Sequence, residues 1–289
     1  MNFLEVAILR WYSANLTASF GAGPFPFGLA FDGGNIWVAN NGGSTVTKLR
    51  ACDGASLGTF AVGTSPEGVA FDGANVWVTN FGSNNVTKLR ASDGTSLGTF
   101  GAGIGPEGVA FDGANIWVAN SGSNNVTKLR ASDGANLGTF AAGNQPRAVA
   151  FDGANIWVTN RLSNNVAKLR ASDGTNLGAF AVGTFPLGVA FDGANIWVAN
   201  ANSNNVTKLR STDGANLGTF EVGTGPRAVV FDGLHVWVAN TLSNDVTRLR
   251  ASDGADRGTF AVGTAPENLA FDGGNIWVSN SASNTLSKL

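Results

Sequence analysis

An unbroken 40-residue period runs through the chain and constrains its fold more than any other feature. The decapeptide FDGANIWVAN occupies residues 111–120 and recurs letter for letter at 191–200. Seven FDG triplets follow one another at this interval, beginning at Phe31, Phe71, Phe111, Phe151, Phe191, Phe231 and Phe271. Such periodicity indicates one structural unit repeated in tandem, and it overrides the length of 289 residues as a guide to domain number.

One copy, from Pro66 to Gly103, contains four short apolar runs separated by turn signals. The runs GVAF, NVWVTN, NVTKLR and SLGTFAV have strand length and are rich in Val, Phe, Trp and Thr. Asp-Gly between two such runs is a strong hairpin signal. Four antiparallel strands in about 40 residues are typical of a propeller blade. The sequence therefore predicts an all-β fold, a seven-bladed β-propeller with four antiparallel strands per blade.

Closure of the ring is predicted to involve both ends of the chain. We label the strands of each blade a to d, outward from the central channel. The last copy ends after its strand c, so residues 14–21, with Phe20 in register with Phe60, are expected to complete the blade of residues 265–289 as its strand d. Residues 5–10 and 284–289 both match strand c of that blade, and the sequence leaves this choice open. Residues 1–289 are then a single propeller domain.

Composition excludes several classes of function. Charged residues make up 13% of the chain and the net charge is −2, which leaves no basic surplus for binding nucleic acid. Cys52 is the single cysteine, so there is no disulfide framework.

No apolar window reaches the length of a membrane span. The N-terminus lacks the basic region of a signal peptide, which predicts a cytoplasmic protein, with an extracellular or periplasmic location left open if the N-terminus is truncated. A monomer is expected.

The repeat resembles a known family at the segments GVAFDGANVWVTN and NNVTKLRASDG. The sequences VWVTN at Val76–Asn80 and IWVTN at Ile156–Asn160 are similar to the motif of the YVTN propeller repeats. The similarity to NHL-repeat propellers and to the streptogramin B lyase propellers is more distant. The resemblance covers nearly the whole chain and implies a seven-bladed ring. It implies no single function, because this superfamily includes binding modules, surface proteins and enzymes.

The copies differ mainly on one face of the predicted disc. In an antiparallel blade the a–b and c–d turns lie on one face, and the b–c turns and the d-to-a links lie on the other. The first pair is nearly uniform, whereas the second pair varies, and turns presented by a rigid scaffold often carry function. The candidate ligand-binding residues on this variable face are Phe25, Phe27, Glu67, Phe81, Glu107, Arg147, Arg161, Phe185, Leu187, Arg227 and Glu267.

The chemistry of these candidates favours binding. The pair Glu67 and Glu107, on neighbouring blades, is suited to a cation or an amine, whereas Arg147 and Arg227 are suited to a carboxylate or a phosphate. Four phenylalanines add apolar contact. No ligand or protein partner is specified by this pattern, and drift in tolerant surface turns remains an alternative explanation of the variation.

The number of histidines bears on whether the chain is a lyase-like enzyme. The resemblance to streptogramin B lyase implies histidine and glutamate acting with a magnesium ion at the channel mouth. This chain has one histidine, His235, and it replaces the Asn of a DGAN turn on the opposite face. The lyase constellation therefore cannot be carried over, and no catalytic residue, metal or cofactor is predicted. The repeated Asp residues supply one carboxylate per turn, which is too sparse a set of oxygen ligands for calcium.

A non-catalytic binding or interaction propeller is the function that the sequence favours. Two alternatives remain: a lyase-like enzyme that uses the carboxylates and arginines of the variable face, and a repeat-amplified or designed scaffold without an evolved ligand.

The repeated cationic residues of strand c, such as Lys48 and Arg50, are interpreted as surface residues. They are expected to form weak ion pairs on the outer surface, with the Asp residues of the neighbouring ASDG turns.

Overall fold

Antiparallel strands make up the regular structure. The computed structural model describes residues 18–289, where 28 strands form seven four-stranded sheets and no helix is present. Each sheet is a blade, and its strands are hydrogen-bonded in the order a, b, c, d. The predicted seven-bladed, all-β propeller is confirmed. Within this described range no helix is long and apolar enough to cross a membrane.

The strand bounds repeat from blade to blade. Strand a is β2 (Pro26–Phe31), β6 (Pro66–Phe71), β10 (Pro106–Phe111), β14 (Pro146–Phe151), β18 (Pro186–Phe191), β22 (Pro226–Phe231) and β26 (Pro266–Phe271). Strand b is β3 (Asn35–Asn40), β7 (Asn75–Asn80), β11 (Asn115–Asn120), β15 (Asn155–Asn160), β19 (Asn195–Asn200), β23 (His235–Asn240) and β27 (Ile276–Asn280). Strand c is β4 (Thr45–Arg50), β8 (Asn85–Arg90), β12 (Asn125–Arg130), β16 (Asn165–Arg170), β20 (Asn205–Arg210), β24 (Asp245–Arg250) and β28 (Thr285–Lys288). Strand d is β5 (Ser56–Ala61), β9 (Ser96–Gly101), β13 (Asn136–Ala141), β17 (Asn176–Ala181), β21 (Asn216–Glu221), β25 (Asp256–Ala261) and, for blade seven, β1 (Ala18–Gly21).

The repeated Asp of the FDG triplet caps the a–b turn. Asp72 Oδ1 accepts hydrogen bonds from the backbone amides of Ala74 (2.9 Å) and Asn75 (2.7 Å), and Oδ2 accepts one from Trp77 Nε1 at 2.8 Å. Gly73 provides the positive φ that the turn needs, at 98°. The same three acceptor contacts recur in all seven blades. The repeated carboxylate is therefore explained by the turn itself and by the indole beneath it.

The apolar core lies between neighbouring blades. Trp37 of blade one is fully buried, and its ring centroid lies 5.5 Å from that of Phe60 in the same blade. Both residues pack against Val76 and Leu89 of blade two. This Trp–Phe pair recurs in every blade, with centroids 5.1–5.5 Å apart. Offset aromatic pairs of this kind stabilise by about 0.5–1.5 kcal/mol beyond the area that they bury.

The ring closes through a strand from the N-terminal end. Strand β1 pairs with β28 so that Phe20 lies opposite Leu286, and the Phe20 ring lies 5.1 Å from that of Trp277. The predicted closure is confirmed for residues 18–21, whereas residues 14–17 lie outside the described range. Strand c of blade seven is formed by Thr285–Lys288. Residues 5–10, the other candidate for that position, are also outside the described range.

The strand-c lysines correct one prediction. Arg50 does form the expected surface ion pair, with Asp53 at 2.9 Å. Lys48, however, is buried, with 7% of its surface exposed. Its Nζ donates to the carbonyl oxygen of Ala91 in the next blade at 2.7 Å and lies 5.2 Å from the Trp37 ring centroid. The interpretation of Lys48 as a surface residue was wrong, because its side chain follows the buried face of strand c and connects two blades.

The lysine contact is interrupted at one position in the ring. Lys88, Lys128, Lys168 and Lys208 make the same bond to the following blade, and Lys288 joins blade seven to Ala51 of blade one at 2.7 Å. Blade six has Arg248 instead, which donates to the Arg257 carbonyl in its own blade at 2.8 Å. In blade seven the equivalent c–d turn does not exist, because strands c and d come from opposite ends of the described chain.

Candidate functional site

Seven side chains meet at one end of the central channel. Each follows the Pro that begins strand a, and together with the next two positions they line a cavity of about 220 Å³. We call them the mouth residues; in ring order they are Phe27, Glu67, Glu107, Arg147, Leu187, Arg227 and Glu267. The structure thus brings together all the candidates predicted at this position.

The d-to-a links hold the mouth residues in place through backbone bonds. In blade five the Phe185 amide donates to Asn164 Oδ1 of blade four at 2.9 Å, and the Phe185 carbonyl accepts a hydrogen bond from the Ala201 amide at 3.0 Å. Equivalent carbonyl contacts to the b–c turn occur in all seven blades. The amide bond to the preceding blade recurs in five other links, at Phe25, Gly105, Gln145, Gly225 and Ala265, so six of the seven links are tied to two blades through this position.

The residue before each Pro adopts left-handed backbone geometry. Phe25 has a φ of 50° and Phe185 a φ of 59°, whereas Gly105 and Gly225 occupy the same position in blades three and six. A non-glycine residue in this region costs roughly 1–2 kcal/mol, and such strain tends to occur at functional sites. Five of the seven links carry this cost, at Phe25, Ser65, Gln145, Phe185 and Ala265.

Arg147 joins the two glutamates of blades two and three. Its Nη1 lies 2.6 Å from Glu67 Oε2 and also contacts Glu107 Oε2. The three side chains are largely buried, with 11%, 14% and 4% of their surface exposed for Arg147, Glu67 and Glu107. The glutamate pair was predicted to bind a cation or an amine. In the structure the Arg147 guanidinium of blade four occupies that position.

The sharing of one arginine between two carboxylates affects the pKa values of Arg147 and Glu67. Burial opposes the charged form of Arg147, but the charges of Glu67 and Glu107 more than offset it and raise the Arg147 pKa. Burial raises the pKa of Glu67; Arg147 lowers it only in part, and the negative charge of Glu107 raises it further. The positive charge of Arg147 is thus balanced by two carboxylates, whereas the negative charge of Glu67 is balanced only in part.

Arg227 is held differently from Arg147. Its Nε contacts Glu267 Oε2, but neither atom makes a hydrogen bond of good geometry. Burial and the nearby charge of Arg147 lower the pKa of Arg227 to about 10. The side chain keeps 28% of its surface exposed, and because it lines the channel this surface faces the cavity.

Phe27 is within cation–π distance of both arginines. The guanidinium carbons of Arg147 and Arg227 lie 5.3 Å and 4.9 Å from the centroid of its ring. Cations at this distance from an aromatic face are attracted by the ring quadrupole, by about 0.5–2 kcal/mol as they become desolvated. The ring therefore partly stabilises both charges.

Arg161 forms a second polar group at the edge of the mouth. Its Nε and Nη2 donate to Gln145 Oε1 at 3.1 Å and 2.8 Å, and its guanidinium carbon lies 5.4 Å from the Phe185 ring centroid. Nη2 also lies 3.7 Å from Glu107 Oε1. Gln145 was not among the predicted site residues. Its signal was available in the sequence, since Gln145 is the one amide-bearing side chain at that link position.

Exposed apolar side chains surround the mouth on the same face. Phe25 and Phe81, both predicted, are 57% and 40% exposed. Three more, with 50–71% of their surface exposed, were not predicted: Ile104, Leu162 and Leu242. Other blades carry mainly Thr, Asn or Gly at these positions, so a blade-by-blade comparison would have found them.

His235 lies at the far end of its strands from the mouth. Strand a of blade six begins at Pro226, opposite Asn240, and His235 begins strand b at the other edge. Its Nδ1 lies 3.4 Å from Asp232 Oδ2, the carboxylate that caps the turn. Among residues 18–289, no group of three or more His, Cys, Asp and Glu side chains is arranged to hold a metal ion.

Comparisons with known proteins support the fold. No family model and no curated protein matches the chain. Among solved structures, the chain is similar to hydrazine synthase of Kuenenia stuttgartiensis, with a TM-score of 0.83 and 19% identity over 92% of this chain and 95% of the other. It is also similar to a streptogramin B lyase, with a TM-score of 0.82 and 18% identity over 94% and 96%. Virginiamycin B lyase of Staphylococcus aureus matches with a TM-score of 0.81 and 18% identity over 94% and 98%. At these identities the likeness shows the seven-bladed fold and nothing finer.

Proposed function

We propose that the chain is a non-catalytic binding propeller whose ligand contacts the channel mouth and the b–c turns and d-to-a links around it. The observation that carries this proposal is the concentration of differences between blades. The strands and the opposite turns are nearly uniform, whereas the mouth combines three glutamates, two arginines, a phenylalanine and a leucine. A ring that only needed to be stable could repeat one residue at this position.

The polar contacts at the mouth support the same reading. Arg147 reaches glutamates from two other blades, 40 and 80 residues away in the chain. Burying ionic groups of this kind usually gives little net stability compared with apolar packing. Their presence is better explained by a role in recognition, where fixed charges in a cavity discriminate between ligands.

The experiment compares two variants of the full chain with the original. The mouth variant carries Glu67→Ala, Glu107→Ala, Arg147→Ala and Phe81→Ala. The control variant removes two exposed ion pairs on the opposite face by Arg90→Ala, Asp93→Ala, Arg130→Ala and Asp133→Ala. Each protein, checked for folding by circular dichroism, is immobilised and exposed to lysate and medium of the source cells, and retained molecules are identified by mass spectrometry.

We expect a molecule that the original and the control variant retain and the mouth variant does not. Equal retention by all three proteins, or no retention by any, would contradict the proposal. Either of those results would favour a repeat-amplified scaffold without an evolved ligand.

A further inference from the structure

We infer that Arg227 is the anchor for a small monocarboxylate ligand whose apolar part lies against Phe27 and Leu187 in the channel mouth. The inference rests on the proposed binding function and names the chemical class of its ligand. It depends on the hydrogen-bonding state of Arg227, the neighbours of that side chain and the balance of charge in the cavity.

The two terminal nitrogens of Arg227 donate no hydrogen bond to residues 18–289. Its shortest contact with a carboxylate, from Nε to Glu267 Oε2, lacks hydrogen-bond geometry. Arg147 is the opposite case, because its guanidinium is engaged by two carboxylates. A guanidinium presents its terminal nitrogens as a planar fork that matches the two oxygens of a carboxylate. Arg227 therefore offers an edge for hydrogen bonding that residues 18–289 do not use.

The surroundings of this edge favour an apolar substituent on the ligand. Phe27 lies under the Arg227 guanidinium at 4.9 Å, and Leu187 lines the cavity from the neighbouring blade. Val189 and Val229 line it one layer deeper. A cavity of about 220 Å³ accommodates a molecule of the size of a short-chain or aromatic acid.

The charge balance favours a single negative charge. Glu67, Glu107 and Glu267 line the same cavity, so a dianion such as phosphate would be repelled by three carboxylates. An ammonium ligand would compete with Arg147, which already contacts the glutamate pair. A monocarboxylate adds one negative charge beside the least compensated cation. The lowered Arg227 pKa, caused by burial and by Arg147, agrees with this assignment, since a bound carboxylate would offset both effects.

The test uses isothermal titration calorimetry on the full chain with four probes: benzoate, acetate, benzylammonium and inorganic phosphate. We expect benzoate to bind at least tenfold more tightly than the other three, because only benzoate combines one negative charge with an apolar ring. Arg227→Met should weaken benzoate binding at least tenfold, and Arg227→Lys should weaken it less, because the charge remains while the fork is lost. Arg170→Met removes an exposed arginine of the opposite face and serves as the matched control, with unchanged affinity.

Several results would overturn the inference. These are benzoate binding that Arg227→Met and Arg227→Lys leave unchanged, benzylammonium or phosphate binding as tightly as benzoate, and no benzoate binding at 100 mM. If Arg227→Met does not fold, the Arg227 Nε resonance in nitrogen-15 NMR decides, since it must shift on benzoate addition and must not shift with benzylammonium. A molecule retained through the mouth in the experiment above, together with absent benzoate binding, would refute the ligand class alone and leave the proposed function standing.

Discussion

The seven turn-capping aspartates give this protein one acidic group per blade whose ionised form stabilises the fold. Burial raises the pKa of Asp112, but hydrogen bonds from the Trp117 indole, the Ala114 amide and Asn115 outweigh it, so the pKa lies below its ordinary value. The same direction holds at Asp32, Asp72, Asp152, Asp192, Asp232 and Asp272. The stability that these groups contribute is present above the pKa of an unfolded Asp, near 3.9, and is lost as the pH falls through the lowered folded values.

We therefore predict that the free energy of unfolding is constant near neutral pH and falls steeply below about pH 4. Asp112→Asn should destabilise the protein at pH 7 by about 1–3 kcal/mol, because Asn has one acceptor oxygen where Asp has two, so that either the buried indole or the turn amides lose their acceptor. The variant should also lose less stability on acidification than the original chain. Urea titrations between pH 3 and 7 measure both effects. A variant with the full acid dependence would show that other carboxylates cause it.

The buried strand-c lysine provides a second prediction at this scale. Lys128→Met leaves the Ala171 carbonyl, which accepts its Nζ at 2.7 Å, without that donor. We expect a loss of about 1–3 kcal/mol, the cost of an unsatisfied buried acceptor. Arg248→Met is the matched variant, and it should cost less because Arg248 donates to an exposed carbonyl of its own blade. Chemical denaturation of both variants measures the difference; equal losses would contradict the role of Lys128 as a contact between blades.

At the scale of the element, the d-to-a links combine rigid tethering with local strain. Ala265 has a φ of 55° and its side chain makes no hydrogen bond, so it bears the cost of left-handed geometry without a polar contact. We predict that Ala265→Gly stabilises the protein by about 0.5–1 kcal/mol. Ala261→Gly, at the end of a strand d, should destabilise it by a similar amount. Thermal unfolding of the two variants distinguishes them, and a lower melting temperature for Ala265→Gly would contradict the assigned strain.

Elements were predicted from the sequence far better than the contacts between side chains. Each strand was predictable because turn glycines and β-branched runs repeat at constant phase, and even the distant strand β1 was found through Phe20. The burial of Lys48 was missed, although it lies two residues from buried Val46 and therefore on the same face of strand c. The Arg147 contacts were not predictable, because the order of residues around a ring does not fix the direction in which a long side chain extends across it.

At the scale of the whole molecule, closure depends on one short strand. Strand β1 has four residues and is the only strand of blade seven contributed by the N-terminal end. Because the blades are nearly alike, strand d of another molecule would fit beside β28 almost as well. We predict a domain-swapped dimer on refolding at high protein concentration, and a larger dimer fraction after removal of residues 1–21. Size-exclusion chromatography with light scattering measures the dimer fraction. Refolding of both the original and the shortened chain as monomers at all concentrations would contradict the prediction.

The uniform turns of the opposite face also determine how many copies of a binding protein one molecule could bind. The ASDG sequence recurs at residues 91–94, 131–134, 171–174 and 251–254, in each case with Asp capping the turn and pairing with an exposed Arg. An antibody fragment raised against one of these turns would meet the same epitope four times on a single molecule. The mouth is a single site to which all seven blades contribute, so it would be bound once. The two faces of the disc therefore differ in valence, and a labelled fragment would report which face it occupies by its stoichiometry alone.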